Sequence, residues 1–488
     1  MECIMKGAGI LMPVFSLPGK YGIGSFGKEA YKFIDFLIDC GQRYWQVLPL
    51  GPTSIGDSPY QSPSVYAGNP YFIDLDILRT EGLLTEGECR QNENVSPVID
   101  YSWLYQTRYS LLRTAFSRFN SGNYDDYEPF RSSNAQWLDD YALFMAIKGI
   151  NDHKGLAEWP AAHKRYQEQS ALRQKYDNEM RFWIFLQFLF FRQWYSVKEY
   201  ANVRGIGIIG DKPIYTAYDS VELWSNPQYF QVHEDLTPIR VAGCPPDGFT
   251  ADGQLWGNPL YDWDRLKQDN YEWLLKTYDS ATRMFDFVRI DHFRGFSAYY
   301  SVPYGETTAR NGEWVKGPGK DFISFLKSRY RKDCIIAEDL GYKDDDVIEL
   351  LAFSGYPGMK VLQFAFGGED SDDLPDKNPE NSIAYLGTHD NTTGRQWLEG
   401  LSIDEKKRVL KTVKLRFGEN LLDACVRCVL ETKSYIAVIV MFDYLRLGAE
   451  ARINYPSTLG FNWTWRANKY NRLSIRRKIK RMTKKSGR

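Results

Sequence analysis

A chain of 488 residues with 43% hydrophobic and 25% charged residues can bury a large core, which excludes disordered, collagen-like and coiled-coil readings. Lys plus Arg number 61 against 62 Asp plus Glu, a net charge of −1, so the protein as a whole is no polyanion binder. The seven cysteines are odd in number and scattered, which points to a reducing cytoplasm rather than a disulfide framework. No secretion signal is expected from MECIMKGAGILMPVF, which has a short apolar run and no Ala-x-Ala cleavage pattern. The longest apolar run, 182–191, falls far short of the about 20 residues that a membrane span needs.

Eight short runs rich in β-branched and aromatic residues lie at 10–15, 45–50, 206–215, 285–291, 334–340, 359–364, 383–390 and 435–444. Their near-continuous apolar character predicts strands buried on both faces, as in a parallel sheet. A helical period follows the first run at 28–40 and returns at 344–353 and 403–431. The stretch between the second and third runs is too long for a loop, and 104–118, 134–149 and 176–203 read as amphipathic helices. In the middle one Trp137, Tyr141, Phe144 and Met145 share a stripe, with Asn134 the expected N-cap. The alternation predicts an α/β fold. A count of eight favours a closed (β/α)8 TIM barrel over a doubly wound open sheet. The expected organisation is one catalytic barrel over 1–488, with a mainly helical insertion at 78–205 and no separate C-terminal β domain. The basic tail at 475–488 is expected to be a solvated, frayed end.

Two motifs mislead. Gly22, Gly24 and Gly27 form GxGxxG between a strand and a helix, the context of a dinucleotide site. The next strand, Trp-Gln-Val-Leu-Pro-Leu, lacks the acid that would hold a ribose hydroxyl, so that reading is rejected. Cys425 and Cys428 lie inside a helical stretch without a second pair, and no HisxxxHis spacing occurs, so no metal site is expected.

The informative residues end the predicted strands. One closes on Arg289-Ile290-Asp291-His292, another on Glu338-Asp339 and a third on Thr388-His389-Asp390. In a barrel these ends converge on one mouth. Cleaving a glycosidic bond calls for two carboxyl groups, one ionised to attack the anomeric carbon and one protonated to release the leaving oxygen. Arg289 and Asp291, two apart on a strand, face the same side, and the cation is expected to keep Asp291 charged. Glu338 ends an apolar run, where desolvation suits it to the acid role.

The chain resembles the 4-α-glucanotransferases (amylomaltases or disproportionating enzymes) of the α-amylase clan. The resemblance rests on WQVLPLGPT at 45–53, SPYQSPSVYAGNPYFIDL at 58–75, GDKPIY at 210–215 and CPPDGFTADGQLWGNPLYDW at 244–263. It continues through RIDHFRG at 289–295, IAEDLG at 336–341, GYPGMKVLQFAF at 355–366 and GTHDN at 387–391. It implies Asp291 as nucleophile, Glu338 as acid/base and Asp390 as a transition-state-stabilising carboxylate. Arg289, His292 and His389 would contact the sugar in the reactive subsite, and Asp211, Asp247, Gln254 and Trp256 would line the glucan cleft. Gly248, Leu386, Ser457 and Arg446 depart from the family pattern, the last within Leu-Arg-Leu-Gly where members carry Leu-Gly-Leu-Gly. Gly248 leaves the 244–258 loop without one possible stacking platform.

The expected reaction is retaining transfer of an α-1,4-glucan segment from maltodextrin, starch or glycogen to the 4-hydroxyl of an acceptor, with no cofactor. Sugar must outcompete water at the intermediate, and aromatic faces such as Trp256 and the tyrosine-rich 60–71 stretch suit acceptor binding. A hydrolase of the same clan would share the carboxylates but form no longer products. A non-catalytic glucan-binding protein would lose at least one of them. Neither nucleic acid nor membrane is an expected partner.

Overall fold

A computed structural model describes residues 5–168, 170–246, 250–341, 343–367 and 371–488. The strands, in chain order, are β1 Gly7–Leu11, β2 Tyr44–Gln46, β3 Gly207–Lys212, β4 Arg240–Cys244, β5 Gln254–Pro259, β6 Phe287–Ile290, β7 Ala298–Pro303, β8 Glu313–Lys316, β9 Ile335–Ala337, β10 Gly358–Val361, β11 Ser382–Tyr385 and β12 Ile436–Val440. Eight of them form a parallel sheet in the order β10-β11-β12-β1-β2-β3-β6-β9. Its two edges meet, with the Ala337 N–H donating to Pro357 O at 2.9 Å and the Met359 N–H to the Asp339 carboxylate at 2.7 Å. The sheet is thereby a near-closed (β/α)8 barrel, as the count of eight predicted. Burial explains why these runs become strands. Every residue of β12, Ile-Ala-Val-Ile-Val, is fully covered, one face by the barrel interior and the other by the helix layer.

The helix Lys28–Asp39 turns Phe33, Ile34, Phe36 and Leu37 onto the sheet, each burial stabilising by about 1.5–3 kcal/mol. The GxGxxG glycines serve packing here. A Cβ on Gly24 would stand 1.9 Å from Val14 O, and one on Gly27 would meet the Asp74 carboxylate.

Between β2 and β3 lie the helices Tyr101–Arg118, Tyr127–Ser133, Leu138–Ile150 and Asp177–Asn202, with shorter ones. Asn134 is the C-cap of Tyr127–Ser133, not the N-cap of the next helix. Its side chain donates back to Phe130 O and accepts from Trp137 Nε1, so the chain turns before Leu138. The stripe of Trp137, Tyr141, Phe144 and Met145 is buried as expected. Asp177–Asn202 reaches the barrel mouth through its carboxamides. Gln187 bonds both backbone groups of Gly68, and Gln193 accepts from the Asp74 N–H at 2.7 Å.

Three features depart from expectation. A second, antiparallel sheet, β5-β4-β7-β8, is built on the C-terminal side of β3 and β6, so part of the predicted 244–258 loop is the strand β5. The 403–431 stretch is two helices, Ile403–Val413 and Leu421–Leu430, parted where Lys414 and Gly418 take φ of 48° and 75°. The C-terminal segment is a helix, Leu473–Lys485, docked through buried Ile479 and Thr483, with Gln42 donating to Thr483 Oγ1 at 2.8 Å. The two sequence departures Arg446 and Ser457 both adopt left-handed backbone, φ 57° and 62°, which is where glycine is cheapest. Cys425 and Cys428 sit one turn apart in Leu421–Leu430 with free thiols. Among the described residues no helix is long and apolar enough to cross a membrane.

Candidate active site

The site grows from the register of three adjacent strands. β3 and β6 pair Asp211 with Arg289, and β6 and β9 pair Ile290 with Ala337. Asp291 and Glu338 are the residues that follow, so they emerge side by side at the barrel mouth. Backbone bonds hold the two ends together: the Glu338 N–H donates to Ile290 O at 3.0 Å and the Phe293 N–H to Glu338 O at 2.9 Å.

Arg289 lies beneath them, its side chain only 4% exposed. Nη1 stands 2.7 Å from both oxygens of Asp211, and Nη2 stands 2.9 Å from Asp291. Asp211, expected along the glucan cleft, has no exposed side-chain surface. It acts on the cleft through its neighbours, accepting also from Tyr60 Oη at 2.8 Å. Asp291 is half-buried at the surface of this layer.

The expectation that Arg289 would hold Asp291 low is not met. Burial, joined by the negative charges of Asp211, Glu338 and Asp390, outweighs the guanidinium and pushes the Asp291 carboxyl well above the usual range. Burial also raises Glu338, against Arg289 and two backbone donors. Those donors fix its carboxylate: the His292 N–H reaches Oε2 at 2.6 Å and the Leu340 N–H reaches Oε1 at 2.8 Å. His292 presents its N–H this way from a left-handed backbone, φ 53°, a strained conformation of the kind that gathers at functional sites.

Both imidazoles are neutral. Burial, helped by the charge of Arg294, lowers His292 to about 3, and burial lowers His389 as well. They therefore offer neutral N–H donors and add no cation to the site. Asp390 is held from two sides, 3.3 Å from His389 Nε2 and 2.7 Å from the Asn454 carboxamide, while Arg452 donates to its carbonyl. Tyr60 ties this edge to the centre. Its hydroxyl bridges Asp211 and His389 Nε2, 2.8 Å from each, and its ring stacks on His389 and packs near Trp463.

On the other edge β5 presents Gln254 and Trp256 two residues apart, on one face. Trp256 Nε1 donates to Gln254 Oε1, and the indole meets the His292 ring edge-on at 4.8 Å. Gln61 donates to Trp256 O and to Asn258, fastening the 58–61 turn to β5. Asp247 and Gly248 lie outside the described residues. The structure thus brings together Asp211, Arg289, Asp291, His292, Glu338, His389, Asp390, Gln254 and Trp256. The sequence reading offered Tyr60 only within the tyrosine-rich 60–71 stretch, as an acceptor face and not as a bridge between Asp211 and His389, and it did not single out Arg452 or Asn454. For Tyr60 a signal existed, since it stands inside the SPYQ of the resemblance stretch. Arg452 and Asn454 carried none.

The model of the 4-alpha-glucanotransferase family, glycoside hydrolase family 77, matches residues 12–472. The 4-alpha-glucanotransferase of Clostridium butyricum is 46% identical over 488 residues, covering 98% of this chain and 100% of that one. That of Thermus thermophilus is 41% identical over 475 residues, 94% of each chain. Among solved structures, the amylomaltase from Streptococcus agalactiae in complex with acarbose superposes with a TM-score of 0.95 at 39% identity, covering 99% of both chains. A family match over nearly all of the sequence, relatives of this similarity and the shared barrel lead to one conclusion: the chain belongs to the 4-alpha-glucanotransferase family and is an enzyme of that class.

Proposed function

We propose that the protein moves α-1,4-glucan segments between maltodextrin, starch or glycogen chains with retention at the anomeric carbon. Asp291 is the nucleophile, Glu338 the acid/base and Asp390 the carboxylate that stabilises the transition state. The register of β6 against β9 carries this reading, because it sets Asp291 and Glu338 next to each other on neighbouring strands. A retaining mechanism requires their carboxyl groups roughly 5–5.5 Å apart, against the 6.5–9.5 Å of inverting enzymes.

In the reactive form Asp291 is ionised against Arg289 and Glu338 holds the proton: Glu338 gives it to the glycosidic oxygen as an Asp291 oxygen bonds to the anomeric carbon and the leaving chain departs. Glu338, now ionised, takes the proton of an acceptor 4-hydroxyl, which displaces Asp291 from the sugar. Asp390, held by Asn454 and His389, and the neutral imidazoles hold the ring's hydroxyls through hydrogen bonds that strengthen as charge develops. Trp256 and Gln254 offer the acceptor an aromatic face and a carboxamide. The carboxyl groups carry every step, and the thiols of Cys40, Cys89, Cys334, Cys425 and Cys428, none in a disulfide, favour a reducing compartment, the cytoplasm.

Incubation with maltotriose alone tests the reading. A ladder of longer oligosaccharides at constant total reducing ends supports transfer. Growth of reducing ends with no product longer than maltotriose contradicts it.

A further inference from the structure

Glu222 is a carboxyl group that the reaction leaves unused. It sits in the short helix Val221–Ser225 after β3, with 2% of its surface exposed. Its Oε1 accepts from Ser64 Oγ at 2.8 Å and from the Val65 N–H at 3.1 Å. Ser64 Oγ in turn accepts from the N–H groups of Tyr66 and Ala67 at 3.1 and 3.3 Å, so one carboxyl oxygen organises the 64–67 turn. Tyr60, which bridges Asp211 and His389, and Gln61, which fastens β5, lie just ahead of that turn in the chain.

The mount of Glu222 is the helical insertion. Asp219, just before its helix, pairs with Lys148 of Leu138–Ile150 and accepts from the Leu156 N–H at 2.9 Å. Trp224, within the helix, donates from Nε1 to His163 O at 2.9 Å. The Val221 N–H adds a direct bond to Pro63 O at 3.0 Å.

The turn that Glu222 holds is thinly packed on its inner side. A cavity of about 70 Å3 is lined by Tyr60, Ser62, Ser64, Val65, Asp211 and Lys212 among others. Side chains that border a cavity lack part of the contact that fixes positions in a close-packed interior, so hydrogen bonds decide where this turn stands. Lys212, also buried, supplies the positive charge that bears on Glu222. The second oxygen of Glu222 is buried without a partner, a cost that an apolar side chain would avoid.

We propose that Glu222 is a positioning residue of the transfer reaction, holding the 64–67 turn from the helical insertion and so setting Tyr60 against Asp211 and His389. This rests on the reaction proposed above.

Transfer from maltotriose is measured for wild type, Glu222→Ala, Glu222→Gln, Tyr60→Phe and Tyr60→Phe/Glu222→Ala, each at a temperature where circular dichroism shows it folded. Glu222→Ala should lower kcat by about tenfold or more with KM changed by less than about threefold. Glu222→Gln keeps an oxygen for Ser64 and Val65 and should return kcat to within about threefold of wild type. Added to Tyr60→Phe, the alanine change should cost less than about threefold more, because its effect runs through Tyr60. If Glu222→Ala does not fold, Ser64→Ala breaks the same link and carries the same expectations. A folded alanine variant with wild-type kcat, a glutamine variant as impaired as the alanine one, or losses that multiply in the double variant overturn the positioning role. A wild type that forms no product longer than maltotriose overturns the transfer reading instead.

Discussion

Asp211 and Arg289 stand at matched positions on neighbouring strands, and one guanidinium nitrogen lies 2.7 Å from both oxygens of Asp211 while the other lies 2.9 Å from Asp291. Through this contact a carboxylate with no exposed surface governs one at the mouth of the barrel. Asp211→Ala would leave Arg289 buried with half its compensation. A loss of about 3–5 kcal/mol in unfolding free energy is expected, with a fall in turnover. Urea unfolding midpoints equal to wild type would contradict the role given to the pair.

Tyr60→Phe keeps the ring that stacks on His389 but removes the hydroxyl that bridges Asp211 and His389. The two partners lose a shared bond and reorient. A drop of about 10–100-fold in kcat/KM for maltotriose is expected, equivalent to about 1–3 kcal/mol, with little change in thermal stability. An unchanged kcat/KM would remove Tyr60 from the site's working parts.

Glu338 owes its raised pKa chiefly to burial, so the protonated acid persists above glutamate's ordinary range, and activity falls as pH rises through that raised value. A donor whose leaving group needs no proton, α-maltotriosyl fluoride, separates this role from the rest. Glu338→Gln should release about one fluoride per chain in a burst whose rate lacks the alkaline limb that wild type shows with maltotriose. If the variant gives no burst of fluoride, Glu338 is not acting only as the acid in the first step.

Asp443 lies in the short helix Met441–Tyr444 that follows β12 and accepts from the Gly394 N–H at 2.6 Å, at the start of the helix that follows the Asp390 turn; its other oxygen is buried without a partner. Burial raises its pKa to about 7 from 3.8, against the pull of the Gly394 N–H and Lys478. The folded state thus holds a proton that the unfolded chain releases. This group's stabilisation is full below its unfolded pKa and is lost as pH rises through about 7. Asp443→Asn keeps an acceptor and cannot ionise. The unfolding free energy of wild type relative to the variant should therefore fall between about pH 4 and about pH 8, and a difference independent of pH would contradict the account.

The strand ends were readable because barrel strands are buried on both faces, so 285–291 or 435–444 stands out as an apolar run ending in charge. The second sheet was not readable. Gln-Leu-Trp-Gly-Asn-Pro is partly exposed and interrupted by Gly257 at φ 76°, which hides both alternation and continuity. Nor does local pattern reveal that Asn454 meets Asp390, 64 positions earlier, since loop packing alone brings them together. The ionisation of Asp291 was misjudged for a related reason. Arg289 is two residues away in sequence, whereas the three carboxylates that oppose it arrive from other strands. The break in 403–431 shows the same limit, for the helical period runs on through Leu415 and only Gly418 marks the turn.

The central claim is that Asp291 carries the glycosyl group between donor and acceptor. Glu338→Gln incubated with α-maltotriosyl fluoride, quenched in acid and examined by intact-protein and peptide mass spectrometry, tests it directly. Without its base the variant should accumulate one maltotriosyl group per chain, mapped to the peptide bearing Asp291, and Asp291→Asn should accumulate none. An adduct on any other residue, or consumption of the fluoride by Asp291→Asn at the wild-type rate, would contradict the account.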